Sequence, residues 1–339
     1  MKQLILLKNF MTKFFPENVI VEDLFLKIKS NGFPYYNYDL SQKFSEFNKL
    51  QNYKTELLIQ NSCLKQTMHA LGLAWSYFPH HWEVKVGKMR TPMEIWNDEL
   101  LLKKAIAKRL NRGGFEMLKP DLTMTDSQVR KAVRSYSGVQ AVSNFRPSAA
   151  AALYKKYADN GVVWDMSCGF GGRLIGALAS NNVKKYIGTD PSQKTFDGLK
   201  EIKNDFFHLG MDIELHKCGS EVFIPNCEVD FCFTSPPYFN TEEYAYEDNQ
   251  SFLAYNTVEL WNEFFLRKTI KNCFSCLKKG KFLGLNVANV RTHKTLESDT
   301  IKIAEEESFK LVEIIQMQLS SIVKGGYKFE PIFIFQKPT

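Results

Sequence analysis

From about residue 140 onward the chain alternates short apolar runs with helical stretches, and this alternation restricts the possible folds more than any other feature. Val162-Val163-Trp164-Asp165-Met166-Ser167 reads as a strand. It is followed by the glycine-rich turn Cys168-Gly169-Phe170-Gly171-Gly172 and a helix from Arg173 to Ser180. Lys185 to Asp190 is a second strand, 193–209 a helix closed by Gly210, Ile213 to Lys217 a third strand and Val229 to Phe233 a fourth. A long helix over 257–278, a strand from Phe282 to Val287, a short helix over 299–307 and strands at 309–319 and 330–336 complete the pattern. The order predicts a parallel sheet covered on both faces, with the last pair of strands as an antiparallel addition.

The fourth strand stops abruptly at Thr234-Ser235-Pro236-Pro237-Tyr238. Prolines cannot donate to a sheet ladder, so the chain must leave the sheet there in a rigid turn. That turn offers the Ser235 hydroxyl, carbonyls with no competing local donor, and the face of Tyr238. The set suits a flat heterocycle with an exocyclic amino group; the plainer alternative is a proline-capped strand. After the first strand, Gly169, Gly171 and Gly172 allow a ligand close approach to the backbone. Asp190, 25 residues beyond Asp165, is where an acid would accept two ribose hydroxyls. A nicotinamide dinucleotide is the rival ligand, although Gly-Phe-Gly-Gly is not the Gly-x-Gly-x-x-Gly cradle. Asp165 either faces the ligand or only orders the turn.

Thr234-Ser-Pro-Pro-Tyr238 resembles the catalytic signature of the amino-group DNA methyltransferases, and Asp165-x-x-x-Gly-Phe-Gly-Gly resembles their cofactor motif. The resemblance covers roughly 140–339. It implies a doubly wound, seven-stranded, Rossmann-like methyltransferase sheet, S-adenosylmethionine as cofactor and DNA as partner. Serine at the first position of the tetrapeptide implies cytosine N4 as the methyl acceptor. Adenine N6 is the alternative, followed by an RNA amino group or a DNA-binding protein without turnover.

In this family's terms, Ser235 and the Pro236 carbonyl take the amino hydrogens, Pro237 stiffens the turn and Tyr238 stacks on an extruded base. Asp165 faces the methionine amino group, directly or through water, and Cys168, Gly169, Phe170 and Gly171 form the cofactor turn. Asn144 and Arg146 cover the methionine end, Asp190 and Pro191 meet the ribose and adenine, and Ser220 meets the adenine. The acidic, aromatic stretch 239–256 is expected to close over the site. Relatives with this motif order usually carry their recognition domain last. Here about 100 residues follow Tyr238, and the sheet needs nearly all of them. Recognition is therefore expected from a mainly helical, basic domain over 1–139, ahead of a catalytic domain over 140–339. The resemblance also admits a cognate restriction endonuclease and leaves the oligomeric state open.

Charge agrees with that division. Residues 1–145 hold 21 Lys and Arg against 13 Asp and Glu, whereas the whole chain carries a net +7. Three basic clusters are candidates for phosphate contact: Lys85, Lys88 and Arg90; Lys108, Arg109 and Arg112; Arg130, Lys131 and Arg134. Cations at helix ends also satisfy the helix dipole and solvate the surface. The segments 1–30 and 40–76 read as helical, and a helix opened by Thr91-Pro92 runs to Leu110. The 7 cysteines are scattered, which predicts reduced, buried thiols. No metal site is expected from His80-His81 or from Cys273 and Cys276. No apolar run is long enough for a membrane span and none resembles a secretory signal, so a cytoplasmic location is expected.

Overall fold

The computed structural model describes residues 17–114, 118, 119, 121–244, 247, 249–321 and 325–339. The chain forms two compact units, one of Met1–Asn37 and Pro79–Val142, the other of Tyr38–Phe78 and Ser143–Thr339. This differs from the expected division near residue 139, because 38–78 folds with the sheet. The reassignment sharpens the charge contrast. Residues 1–37 and 79–142 carry 17 basic and 10 acidic side chains, and the rest of the chain carries 27 of each.

The second unit is built on a nine-stranded sheet. In chain order its strands are β1 (Ile59–Gln60), β2 (Cys63–Leu64), β3 (Gly161–Asp165), β4 (Val183–Thr189), β5 (Asp212–His216), β6 (Val229–Thr234), β7 (Leu277–Asn286), β8 (Lys310–Ser321) and β9 (Tyr327–Gln336). They lie in the order β1-β2-β8-β9-β7-β6-β3-β4-β5. Strands β3 to β7 pair in parallel, and β9 runs antiparallel to both β7 and β8. The seven expected strands are present, and two more come from 59–64. The expected helix over 40–76 is broken, because Cys63 and Leu64 pair in parallel with Gln316 and Met317 at the sheet edge. Only Leu40–Gln51 and Leu71–Ser76 are α-helical there.

Both faces of β6 are covered, which explains its unbroken apolar run. Phe231 and Phe233 pack on Tyr157 and Tyr154 of the helix Pro147–Tyr157. Cys232, pointing the other way, sits 4.0 Å from Cys276 of the helix Lys268–Cys276. The seven cysteines are all free thiols. The long helix expected over 257–278 contains a π-helical segment, Asn262–Arg267, and stops at Cys276. Strand β7 starts at once because Leu277 pairs with Val229.

The first unit is mainly helical where it is described, with helices Glu17–Ser30, Pro92–Asn97, Glu99–Gly113 and Asp126–Arg134 and a two-residue strand, Lys85–Val86. They enclose a core holding the buried Trp82 and Trp96. The helix expected to run from Thr91 to Leu110 is two helices. Thr91 and Glu94 form a capping box on the first, and Asp98 caps the second by accepting from Leu101 N. Among the described residues no helix is long and apolar enough to cross a membrane.

Candidate active site

Strands β3 and β6 are neighbours, with Trp164 opposite Cys232, so the turns that follow them emerge side by side at the carboxyl edge of the sheet. Open α/β sheets bind ligands at this edge.

The turn after β3 is held from beneath. Gly169 and Gly171 have φ of +54° and +67°, conformations that favour glycine. A β-carbon on Gly171 would lie 2.5 Å from Ile202 Cδ1 and 3.0 Å from Phe78. One on Gly172 would overlap the Phe145 carbonyl oxygen and lie 2.8 Å from Asn144 Oδ1. The strap 144–146 therefore crosses directly over the start of the helix Gly172–Ser180, fixed by Asn144 Nδ2 donating to the Phe170 carbonyl at 2.9 Å. Gly172→Ala is expected to force this strap away and cost about 1–3 kcal/mol, as overpacking does; urea unfolding would measure it.

Asp165 differs from its expected role. Its carboxylate is fully buried, and each oxygen accepts twice from the chain itself. Oδ2 takes Arg173 Nε at 2.8 Å and the Tyr186 hydroxyl at 2.7 Å, and Oδ1 takes the Thr234 hydroxyl at 2.9 Å and Ser167 N at 3.3 Å. No lone pair is left for a ligand ammonium, so Asp165 orders the turn. Cys168 is likewise turned inward. Its thiol lies 3.5 Å from the Tyr186 hydroxyl, and burial pushes its pKa well up. The Phe170 ring is buried among Trp75, Phe78 and Tyr244.

Asp190 directly follows β4, with one oxygen accepting from Gly169 N (2.9 Å) and the other from Ser192 N (3.1 Å). Each oxygen keeps a further lone pair for a hydroxyl donor. Burial raises its carboxyl to about 7. Pro191 is half-buried beside it, and its carbonyl accepts from Asn249 Nδ2 at 3.0 Å. Arg146, in the strap, contacts the Met68 sulfur. Ser220, expected at the adenine, is buried with its hydroxyl 2.8 Å from Thr269 Oγ1 and its carbonyl taken by Asn272, so neither faces a ligand.

At the second turn Ser235 is half-buried and Pro236 buried, and Phe239 has φ of +54°. That conformation is unusual for a bulky residue and marks a constrained turn. It is held by packing of Phe239 on Trp261, 6.2 Å between ring centroids. The Ser235 hydroxyl points at the Tyr238 hydroxyl, 3.4 Å away. Tyr238 in turn donates to Glu330 of β9, with the Asn286 carbonyl as a second acceptor at 3.1 Å.

Two acidic residues border this turn that sequence reasoning did not select, Glu330 and Glu242. Burial lifts both, Glu242 to about 7, and the Glu330 charge adds to the rise at Glu242. Glu242 accepts from the Tyr244 hydroxyl and from Ser143 N. The stretch after Tyr238 returns across the sheet edge: Tyr244 packs on Phe170, and Glu247 accepts from Gln193 N at 3.2 Å.

The basic residues of the first unit divide in two. Lys85, Lys88, Arg90, Arg112 and Lys131 are exposed. The other four are engaged within the unit and so differ from free phosphate ligands. Lys108 bonds Ser137, Arg109 bonds Gln128, Arg130 bonds the Pro34 carbonyl and lies 4.2 Å from the Tyr36 ring centroid, and Arg134 lies 5.6 Å over Trp82. His81 is buried against Trp82. No group of three or more metal-ligating side chains occurs among the described residues.

No family model and no curated protein matches the chain by sequence. Solved structures do resemble it in fold. NodS, an N-methyltransferase of Bradyrhizobium japonicum, is 13% identical over 56% of this chain and 93% of its own, with a TM-score of 0.40. Magnesium protoporphyrin IX methyltransferase of Synechocystis, solved with bound S-adenosylmethionine, is 13% identical over 56% of this chain and 77% of its own, also at 0.40. A methyltransferase of Pyrococcus furiosus is 14% identical over 62% of this chain and 94% of its own, again at 0.40.

Proposed function

We propose that this chain is an S-adenosylmethionine-dependent DNA methyltransferase acting on the exocyclic N4 amino group of an extruded cytosine. The observation that carries the reading is the 2.9 Å bond from Thr234 to Asp165. It ties the Ser-Pro-Pro-Tyr turn to the glycine turn, so that a donor on one and a base on the other lie over adjacent strands.

The residues present fit the cofactor. Asp190 keeps acceptor sites for the two ribose hydroxyls, Pro191 flanks them, and Gly169, where a β-carbon would meet only the Ser167 carbonyl oxygen at 3.9 Å, leaves the backbone open to close approach. The strap with Asn144 and Arg146 covers the methionine end. When bound, S-adenosylmethionine supplies an electrophilic sulfonium methyl. The protein's task is to make a poor nucleophile reactive, because the amino lone pair is delocalised into the ring. Ser235 Oγ and the Pro236 carbonyl accept the two amino hydrogens and favour a pyramidal nitrogen whose lone pair points out of the ring plane. Alignment in a site shielded from water provides most of the rate. Because the target atom is out of reach in a duplex, the base must leave the stack. The Tyr238 ring then provides a surface for it. The exposed cations of the first unit hold the phosphate backbone.

Incubation with tritiated-methyl S-adenosylmethionine and unmethylated plasmid DNA tests this. Label should enter DNA and be recovered as N4-methylcytosine after digestion to nucleosides, and Ser235→Ala should slow it by about 10²-fold or more. Label in N6-methyladenine would move the target to adenine. Label accepted only by RNA would overturn the DNA reading.

A further inference from the structure

Resting on that function, we propose that Glu330 is the terminal proton acceptor of the reaction, reached through a directed chain from Ser235 Oγ to Tyr238 Oη to the Glu330 carboxylate. Methyl transfer leaves the acceptor nitrogen with a positive charge and one proton too many, and the turn itself contains no base. The hydroxyl directions meet that need. Ser235 donates to Tyr238, and Tyr238 donates to Glu330. With its proton on that bond, Ser235 Oγ keeps its lone pairs as acceptors for an amino hydrogen. The 3.4 Å span between the two hydroxyls is long, as catalytic hydrogen bonds often are before substrate tightens them.

The step balances. The amino nitrogen forms a bond to the methyl carbon while the carbon–sulfur bond breaks, leaving its electron pair on sulfur. An N–H proton then passes to Ser235 Oγ, the serine proton to Tyr238 Oη, and the tyrosine proton to Glu330. The product is a neutral methylamino group, a neutral thioether and a protonated Glu330, which returns its proton to water after release.

The surroundings of Glu330 suit the role. It sits in β9 between Phe329 and Pro331, mostly buried, and burial makes it a stronger base than an exposed glutamate. The Tyr238 hydroxyl and the Asn286 amide hydrogen-bond its charged form and moderate that effect. The like charge of Glu297 favours proton uptake, and Glu242 is itself raised by the Glu330 charge. Glu330 acts through Tyr238 and does not itself touch substrate, so it is a positioning and proton-storing residue, distinct from Ser235.

Single-turnover methyl transfer to plasmid DNA, followed from pH 5 to 9, tests the chain. In wild type the rate should fall as pH drops and Glu330 fills with its own proton. Glu330→Gln keeps a hydrogen-bond acceptor for Tyr238 but no basicity. It should lower the rate about 10²-fold and flatten the acid limb, with S-adenosylmethionine affinity by calorimetry changed less than about twofold. Tyr238→Phe keeps the aromatic surface and cuts the chain, so it should show the same loss and the same flat profile. A wild-type rate and acid limb in either soluble variant would overturn the relay while leaving the methyltransferase reading intact. Failure of wild type to methylate any nucleic acid would overturn both.

Discussion

Asp165→Ala is expected to destabilise the second unit by about 3–5 kcal/mol, because it strands a guanidinium in the core. Arg173 is 4% exposed and its Nε donates to Asp165 Oδ2. Its Nη2 donates to the Ser167 carbonyl, and its guanidinium carbon lies 5.8 Å from the Phe145 ring centroid. The Tyr186 and Thr234 hydroxyls would lose their acceptor in the same step, and each unsatisfied buried group adds to the cost. Arg173→Met, in contrast, leaves Asp165 with three donors and should cost less than the Asp165 change. The double replacement Asp165→Ala with Arg173→Met should recover part of the loss, as removal of both partners of a buried pair often does. Urea unfolding of the four proteins measures the cycle. If Asp165→Ala cost no more than an ordinary surface change, the carboxylate would not be the element that joins the two turns.

Much of the sheet was legible because strands buried on both faces are written as unbroken apolar runs. Val229 to Phe233 needs no partner information to be recognised as a strand. The glycines of the first turn were equally readable, because φ values near +60° and close approach leave few other choices. What escaped was information held in three dimensions. Cys63 and Leu64 become strand only by pairing with Gln316 and Met317 at an edge 250 residues away, and nothing local overrides the helical rhythm of 40–76. Asp165 and Ser220 were selected by motif position alone, one at the end of β3 and the other after β5. Whether a side chain at such a spot faces ligand or core depends on Arg173, Tyr186 and Thr269, whose contacts no spacing rule reveals. Glu330 did leave a trace: a lone carboxylate inside the apolar run Phe329 to Phe335. A charge in such a strand is costly unless a partner meets it, and the partner is Tyr238, 92 residues earlier.

Asp190 carries the second large effect, and its sign follows from the direction of its shift. An exposed aspartate ionises near 4, whereas burial holds this carboxyl near 7, with the neighbouring Asp165 pushing the same way and Gly169 N, Ser192 N and Arg173 opposing. Between about pH 4 and 7 the folded chain therefore binds more protons than the unfolded one. Stability from this group is full below pH 4 and falls as pH rises towards 7. Ligand binding runs in the opposite sense. In the proposed function two ribose hydroxyls donate to the ionised carboxylate, so the free protein must lose a proton before it binds. S-adenosylmethionine affinity should be about tenfold weaker at pH 6 than at pH 8 and level off above 8, with proton release on binding below 7. Asp190→Asn presents one acceptor and no charge. It should bind more than about 10-fold more weakly at pH 8 than wild type does and lose most of the pH dependence. Calorimetry in two buffers of different ionisation enthalpy reads both the affinity and the proton count. An affinity that stays flat from pH 6 to 8 in wild type would remove Asp190 from the ribose site.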